Sequence, residues 1–294
     1  MFSIYKLIQN ESIPIDVQLK MFDSMVEPIL LYSSEVWGFE DMYLIEQVHL
    51  KLCKKNLRVR NTTANFMVYG ELGRFPLELR AKLRMISFWA KLVQSEGKLS
   101  NMLYCLLFCL QSKGKHSFKW IEYIKKTLIE LGMSYMYTNQ FSFFNAKSLQ
   151  LTLQDQYIQK WFSDIFASSR GEFYSIFKKS FGIENYLLRL PASCRIWITK
   201  MRTSNLHLPI ETGRWANIPR QDRICTLCNE NIGDEVHILF RCKNQNIITL
   251  REKKLPIYYY NNPDIRKLQG FLSYCNCHLL KMLSLFIKKV SVLL

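Results

Sequence analysis

Apolar side chains recur every three to four residues along most of the chain, the spacing of a single buried helix face. Strict alternation of polar and apolar positions never persists beyond a few residues, so no strand is predicted. Leu19, Phe22, Val26 and Leu30 follow Pro14 and Asp16, which together read as a helix start. Pro28 falls inside that stretch and should kink or end it, because it has no N–H and its ring crowds the preceding turn. Leu79, Leu83, Ile86, Ala90 and Val93 make the clearest stripe, beginning just after Pro76. Gly70, Gly73, Gly97, Ser112–Lys115, Gly132 and Ser168–Gly171 punctuate the rest, and no repeat of fixed period is present. The expected fold is therefore mainly α.

Three regions follow from this pattern. Residues 1–96 read as a helical unit. Residues 97–190 read as a helical connector rich in aromatic side chains, among them Trp120, Trp161, Phe162, Phe166, Phe173 and Phe177. Residues 191–294 hold most of the candidate chemistry and end in a helix, His278–Leu294, with Leu279, Leu283, Phe286, Val290 and Leu294 on one side. Docking of that helix on the rest of the chain is expected; attachment to a membrane surface is the alternative.

The sharpest chemical signal lies in the third region: Cys225 and Cys228, then His237, then Cys242, a C-x2-C-x8-H-x4-C spacing. Two cysteines with two residues between them place both sulfurs on one ion from a single turn, and the distant His and Cys complete a tetrahedron, a CCHC zinc knuckle. Thiolates must be deprotonated to bind, so uptake of Zn2+ and local folding become one event, worth about 10 kcal/mol or more in small zinc modules. The competing reading is four unrelated residues that happen to lie close in sequence. Asp234 and Glu235 fit two roles, capping a short helix that carries His237 or orienting its imidazole, and the cap is preferred. Residues five apart are rotated by about 140° on a regular helix, so Cys242 is expected beyond that helix or on a distorted last turn. Cys275, Cys277 and His278 form a C-x-C-H run without a fourth ligand nearby. Cys105 and Cys109 sit in an apolar helical run where buried thiols are common.

Composition and charge narrow the function. Of the 294 residues, 49% are apolar, enough to exclude a disordered linker. Forty Lys and Arg against 24 Asp and Glu leave a net charge of +16, which suits a polyanionic partner, nucleic acid or an acidic membrane surface, against the alternative of a solvated basic surface. Lys51, Lys54, Lys55 and Arg58 fall at i, i+3, i+4 and i+7 and would form one cationic stripe if Asp41–Arg58 is a helix. A second cluster, Arg195, Lys200, Arg202, Arg214, Arg220 and Arg223, then Arg241, Lys243 and Arg251, surrounds the cysteine motif. Guanidinium forks suit phosphate oxygens, and Trp197 and Trp215 lie among these charges, placed either to stack on bases or to fill the core. The stripe reads equally well as a solvated face. The expected partner is RNA or DNA, bound without sequence specificity, with no membrane and no small-molecule substrate.

No catalytic site is legible. The eight aspartates are scattered, none adjacent to another, whereas a two-metal polymerase needs clustered carboxylates. Neither a G-x-x-x-x-G-K-[ST] loop nor an H-E-x-x-H helix is present. The chain opens Met-Phe-Ser-Ile-Tyr-Lys without a charged leader and long apolar stretch, and Met102–Leu110 is too short to span a bilayer. An intracellular location, nucleus or cytoplasm, is expected, and the odd count of nine cysteines argues against a disulfide framework.

Several blocks together resemble a known family. Met21-Phe-Asp-Ser-Met-Val-Glu-Pro-Ile-Leu-Leu-Tyr-Ser-Ser-Glu-Val-Trp-Gly38 is similar to the segment just downstream of the polymerase core in non-LTR (LINE-type) retrotransposon reverse transcriptases. Asn65-Phe-Met-Val-Tyr-Gly-Glu-Leu-Gly-Arg-Phe-Pro-Leu77 resembles the block that follows there. Leu208-Pro-Ile-Glu-Thr-Gly-Arg-Trp215 and the run through Cys242 to Arg251 resemble the family's carboxy-terminal zinc-binding region. The resemblance implies a carboxy-terminal fragment: a helical thumb-like unit, a helical connector and a zinc knuckle held by Cys225, Cys228, His237 and Cys242. Such a region would help to hold template RNA or target DNA. The family's fingers, palm with paired aspartates, and endonuclease have no counterpart here, so no enzymatic activity is expected of this chain alone. Two alternatives remain open: a thumb completed by a separate palm, or a structural module merely stapled by zinc.

Overall fold

The computed structural model describes residues 13–140, 145–273 and 276–294. Among these the chain is mainly helical and contains no strand, only two isolated bridges, Leu72↔Ile183 and Ile224↔Ile232. Its contacts gather the chain into two compact units. One comprises Met1–Leu19, Leu50–Arg74 and Phe162–Leu294; the other comprises Lys20–His49 and Phe75–Trp161. This grouping differs from the three consecutive regions expected at 1–96, 97–190 and 191–294. The physical reason is that Leu50–Arg74 bonds to residues more than a hundred positions later, through Arg60, Thr63 and Glu71.

The helix Ile15–Met25 ends three residues before Pro28; in the second unit that proline occupies the first turn of the next helix, Glu27–Leu30, where its missing N–H costs nothing. Leu77–Gln94 starts directly after Pro76. Its buried face is Leu77, Ala81, Met85, Ile86, Trp89, Ala90 and Val93, whereas Leu79 and Leu83 are only partly covered. Trp89 explains the rotation, since an indole removes more apolar surface from water than a leucine and needs a partner for its N–H. That N–H donates to the Tyr104 hydroxyl at 2.8 Å, and the hydroxyl donates to Gln140 Oε1 at 2.8 Å. The helix Leu99–Ser112 buries only Tyr104, and Cys105 and Cys109 are exposed rather than buried as expected. Apolar composition had suggested burial, but the helix docks along a single narrow line.

In the first unit the terminal helix, Cys277–Leu293, packs its Leu279, Leu283, Phe286 and Val290 face inward against Ala192–Arg202. The Asn276 side chain caps it by accepting from the amides of His278 and Leu279. Cys275 lies outside the described residues. Among those residues no single helix is long and apolar enough to cross a membrane.

An ion pair lies inside this unit. Arg202 and Glu71 are both fully buried, and the guanidinium grips the carboxylate twice, Nε to Oε2 at 2.9 Å and Nη2 to Oε1 at 2.9 Å. Glu184 lies 3.0 Å from Nη2, Nη1 donates to the Leu272 carbonyl at 2.7 Å, and the Phe177 ring lies 4.4 Å from the guanidinium. Tyr186 donates to Glu71 Oε2 at 2.7 Å, and Lys178 reaches Glu184 at 2.5 Å. Burial alone would raise the Glu71 carboxyl, but Arg202 and Lys178 outweigh it and hold the group below the usual carboxylate range. Burial opposes the charge on Arg202 as well, and the Glu71 and Glu184 carboxylates overcome it.

Removing one member leaves the other charged and buried, a cost of about 3–5 kcal/mol. Arg202→Met is therefore expected to destabilise the protein by that amount in urea titration, and adding Glu71→Gln to it should restore part of the loss. Because the folded Glu71 titrates below its unfolded value, its contribution is complete above the usual carboxylate range and fades as pH falls through the depressed value. Acidification through that range should lower the urea midpoint of the wild type more steeply than that of Glu71→Gln.

Candidate metal centre

The segment Arg223–Gly233 turns back on itself. The Cys225 amide donates to the Asn231 carbonyl at 2.7 Å, the Asn229 amide to Cys225 at 2.9 Å, and the Gly233 amide to Arg223 at 2.9 Å. Asn229 takes a left-handed conformation at φ +56°, tolerable for this side chain. Gly233 is required by space: a Cβ there would lie 2.7 Å from Pro209 Cγ and 3.0 Å from Cys225 Cα. The turn thus presents Cys225 and Cys228 toward one side.

His237 and Cys242 come from the following turn, His237–Arg241, a π-turn. The Cys242 amide donates to the His237 carbonyl at 2.7 Å, a bond spanning five residues. That wider turn offsets the rotation a regular helix would impose, and it is the distortion expected from the spacing. Asp234 caps it, accepting from the His237 amide at 2.7 Å. Glu235, by contrast, is buried and accepts from Ser204 Oγ at 2.7 Å, so it neither caps the turn nor touches the imidazole. Burial pushes its carboxyl up to about 7.

The donor atoms of Cys225, Cys228, His237 and Cys242 all lie within 4.8 Å of one another. Cys225 and Cys242 Sγ are 4.0 Å apart, and Cys228 Sγ is 3.2 Å from His237 Nε2. A tetrahedron with metal–sulfur bonds of about 2.3 Å has edges of about 3.8 Å, so these separations suit one central ion and are far too long for a disulfide of about 2.05 Å. Cys225, His237 and Cys242 are buried and Cys228 is partly exposed, leaving an entry path. Burial lowers the basicity of His237, favouring the neutral imidazole that a metal needs, and pushes the Cys242 thiol up to about 12. At Cys228 burial acts upward but is outweighed by donors from the Glu230 amide and the neighbouring thiols, so that thiol is lowered. His237 Nδ1 is buried without a hydrogen-bond partner. The four side chains could hold a metal ion, and they are the one such group among the described residues.

Arg251, placed by the sequence in the basic cluster around the motif, has a structural role instead. It is buried, and its guanidinium donates to the carbonyls of Leu239 at 2.9 Å, Ile238 at 3.3 Å and Cys242 at 3.2 Å. It pins the carbonyls of the π-turn that carries two ligands. Asn244 adds a bond to the Leu227 carbonyl at 2.9 Å, tying the two ligand-bearing turns together. The signal that could have revealed Arg251 is its place nine residues after the last cysteine, on the first helix beyond the motif, Gln245–Lys254.

The structure sorts the basic residues expected to face phosphate. Lys51, Lys55, Arg58, Arg220 and Arg241 are exposed. Lys54 is not: it is buried, donating to the Asn61 carbonyl at 2.7 Å. Arg195 is buried, and Arg202 is fully buried in its pair with Glu71. These three, with the buried Arg251, are corrections to the expected basic surface, because helical spacing puts cations on a face without saying whether that face is outside. Arg214 is half-covered and paired with Glu211 at 2.6 Å, Arg220 pairs with Glu172, and Arg223 donates to the Ile218 and Ile210 carbonyls. Trp215 is exposed and Trp197 half-buried.

Neither a protein-family model, nor a curated protein, nor a solved structure matches this chain.

If Arg251 holds the ligand turn, Arg251→Met should weaken metal binding by about 10- to 100-fold in competition with a chromophoric chelator. Glu252→Gln, next to it on the exposed side, should leave binding unchanged.

Proposed function

We propose that the chain is a zinc-containing, nucleic-acid-binding module without catalysis of its own, of the kind found at the carboxy-terminal end of non-LTR retrotransposon reverse transcriptases. The observation that carries this reading is the convergence of three thiols and one imidazole in a chain of net charge +16. Sulfur-rich tetrahedral sites select zinc over harder ions, which prefer oxygen. With all four positions filled by protein, such an ion is structural: it staples two turns and leaves no open position for substrate. In this reading the exposed cations, Lys51, Lys55, Arg58, Arg220 and Arg241, supply the affinity by releasing counterions from phosphates. The sequence blocks quoted above support a thumb-like origin, and RNA or DNA bound without base readout is the expected partner, within the nucleus or cytoplasm.

One observation favours the rival in which zinc staples helices and the charge is incidental. Lys54, Arg195, Arg202 and Arg251 are turned inward and bonded or packed there, so part of the basic excess serves the fold.

Elemental analysis of the purified chain should give one zinc per chain, lost together with local order in Cys228→Ser. Binding to RNA and single-stranded DNA should fall steeply with salt, with slope about −0.7 per phosphate contact on a log–log plot. Metal-free protein with unchanged folding, or nearly salt-independent binding, would sink the proposal, and nucleotide incorporation in a primer-extension assay would overturn its non-catalytic part.

A further inference from the structure

The first compact unit contains a groove of about 340 Å³ lined by Arg58, Arg60, Trp197, Lys200 and His207 with smaller neighbours. Its volume falls within the about 300–1,000 Å³ of pockets that hold small ligands or single ligand moieties. Among the described residues that line it there is no aspartate or glutamate. Elsewhere in this unit some exposed cations meet carboxylates, as Arg220 meets Glu172 and Lys243 meets Glu230 at 2.8 Å. Two of the groove's cations, Lys200 and Arg60, lie over rings. Lys200 Nζ lies 4.6 Å above Trp197, and the Arg60 guanidinium lies 4.4 Å above Trp215. His207 meets Trp215 edge-on at 6.0 Å. Cations over rings keep their charge and contribute to the local positive field, and no aspartate or glutamate side chain lines the groove.

Arg58 supplies an independent observation. It sits just past the helix Tyr43–Leu57 at φ +56°, where the Arg58 and Val59 amides close the helix onto Lys55 and Lys54. Glycine is the usual occupant of that position because it reaches this conformation without a Cβ clash. A long cation is kept there against local preference, and it lines the groove. Lys51 and Lys55 share its helix face and are exposed, so the cationic stripe read from the sequence leads into the groove.

We propose that this groove binds a single-stranded polynucleotide, with Arg58, Lys200 and His207 on backbone phosphates and the exposed Trp215, beside the groove against Arg60 and His207, stacking an unpaired base. Arg60 is a positioning residue: its amide and Nε donate to Asn205 Oδ1 at 2.9 and 3.3 Å, its Nη2 to the Ser204 carbonyl at 3.3 Å, and its guanidinium backs the Trp215 ring. A stacking platform beside a phosphate track suits unpaired bases, whose faces are free, over a duplex, whose faces are covered. The inference rests on the nucleic-acid reading above, and the test separates the two.

The full zinc-loaded chain is titrated into labelled ten-nucleotide oligouridylate, oligothymidylate and a duplex of equal length, with anisotropy read at several salt concentrations. Both single strands should bind more tightly than the duplex, and the tighter of the two identifies the preferred sugar. Arg58→Gly with Lys200→Ala should weaken binding by about tenfold or more and flatten the salt slope by about 1.4, two contacts at about 0.7 each. Arg58→Gly alone should melt at the same temperature as the wild type or higher, which separates lost contact from lost fold. Trp215→Ala should weaken binding by about tenfold while Trp215→Phe, which keeps a ring face, retains most of it. Lys281→Ala, exposed on the terminal helix, should change nothing. Salt-sensitive wild-type binding that all groove variants retain would overturn the groove and leave the broader reading standing. Absence of binding by the wild type would overturn both. Equal affinity for the duplex with a silent Trp215→Ala would overturn the single-strand assignment.

Discussion

The buried pair between Arg202 and Glu71 is the constraint on which the first unit depends. Glu71 closes the helix Asn65–Leu72 and Arg202 closes the helix Ala192–Arg202, so one bidentate contact joins segments 131 residues apart. Tyr186, Glu184, Lys178 and the Leu272 carbonyl complete its hydrogen bonding. A pair so enclosed adds little net stability compared with apolar packing, since desolvating both charges offsets most of the attraction. What it provides is selectivity of arrangement, because a misaligned version would strand two charges without water. The residues directly after Arg202 profit from that alignment: Asn205 binds Arg60 and Thr63, and Ser204 binds Glu235.

Ligand geometry is built on this support in small steps. Ser204 follows the ion pair by two residues and meets Glu235, the neighbour of the cap Asp234. Pro209 presses on Gly233, at the base of the cysteine turn, and Arg251 collects the carbonyls of the π-turn. Each link is short and covered from solvent, which is how a set of four donors comes to be preorganised by its surroundings.

Helical class, the stop near Pro28, the start at Pro76 and the four-residue cluster that could hold a metal ion were legible in the sequence, because each depends on local spacing or on the covalent limits of proline. The distorted turn before Cys242 followed from the same arithmetic. Burial of individual cations was not legible. Arg202 and Lys54 carry the same helical spacing as surface residues, and only distant partners such as Glu71 distinguish them. For the same reason the two discontinuous units escaped a reading along the chain, since periodicity reports neighbours within a helix and not partners 131 positions away. Cys105 and Cys109 illustrate the converse: an apolar helix was read as buried, yet only Tyr104 is fully covered, with Phe108 partly packed and Asn101 bonded to the Leu92 and Val93 carbonyls.

The π-turn between His237 and Cys242 also restricts how this chain can change over time. A helix turn absorbs a lost or gained residue by rotating everything beyond it, and here any such rotation would swing a thiol out of the cluster. The four intervening positions are therefore free in identity only where they face solvent, as Arg241 does, and are not free in number. Drift in this stretch should proceed by substitution, with insertions and deletions confined to the exposed run Asn229–Asn231, after Cys228 and before the Asp234 cap, where slack can be taken up outside the helix.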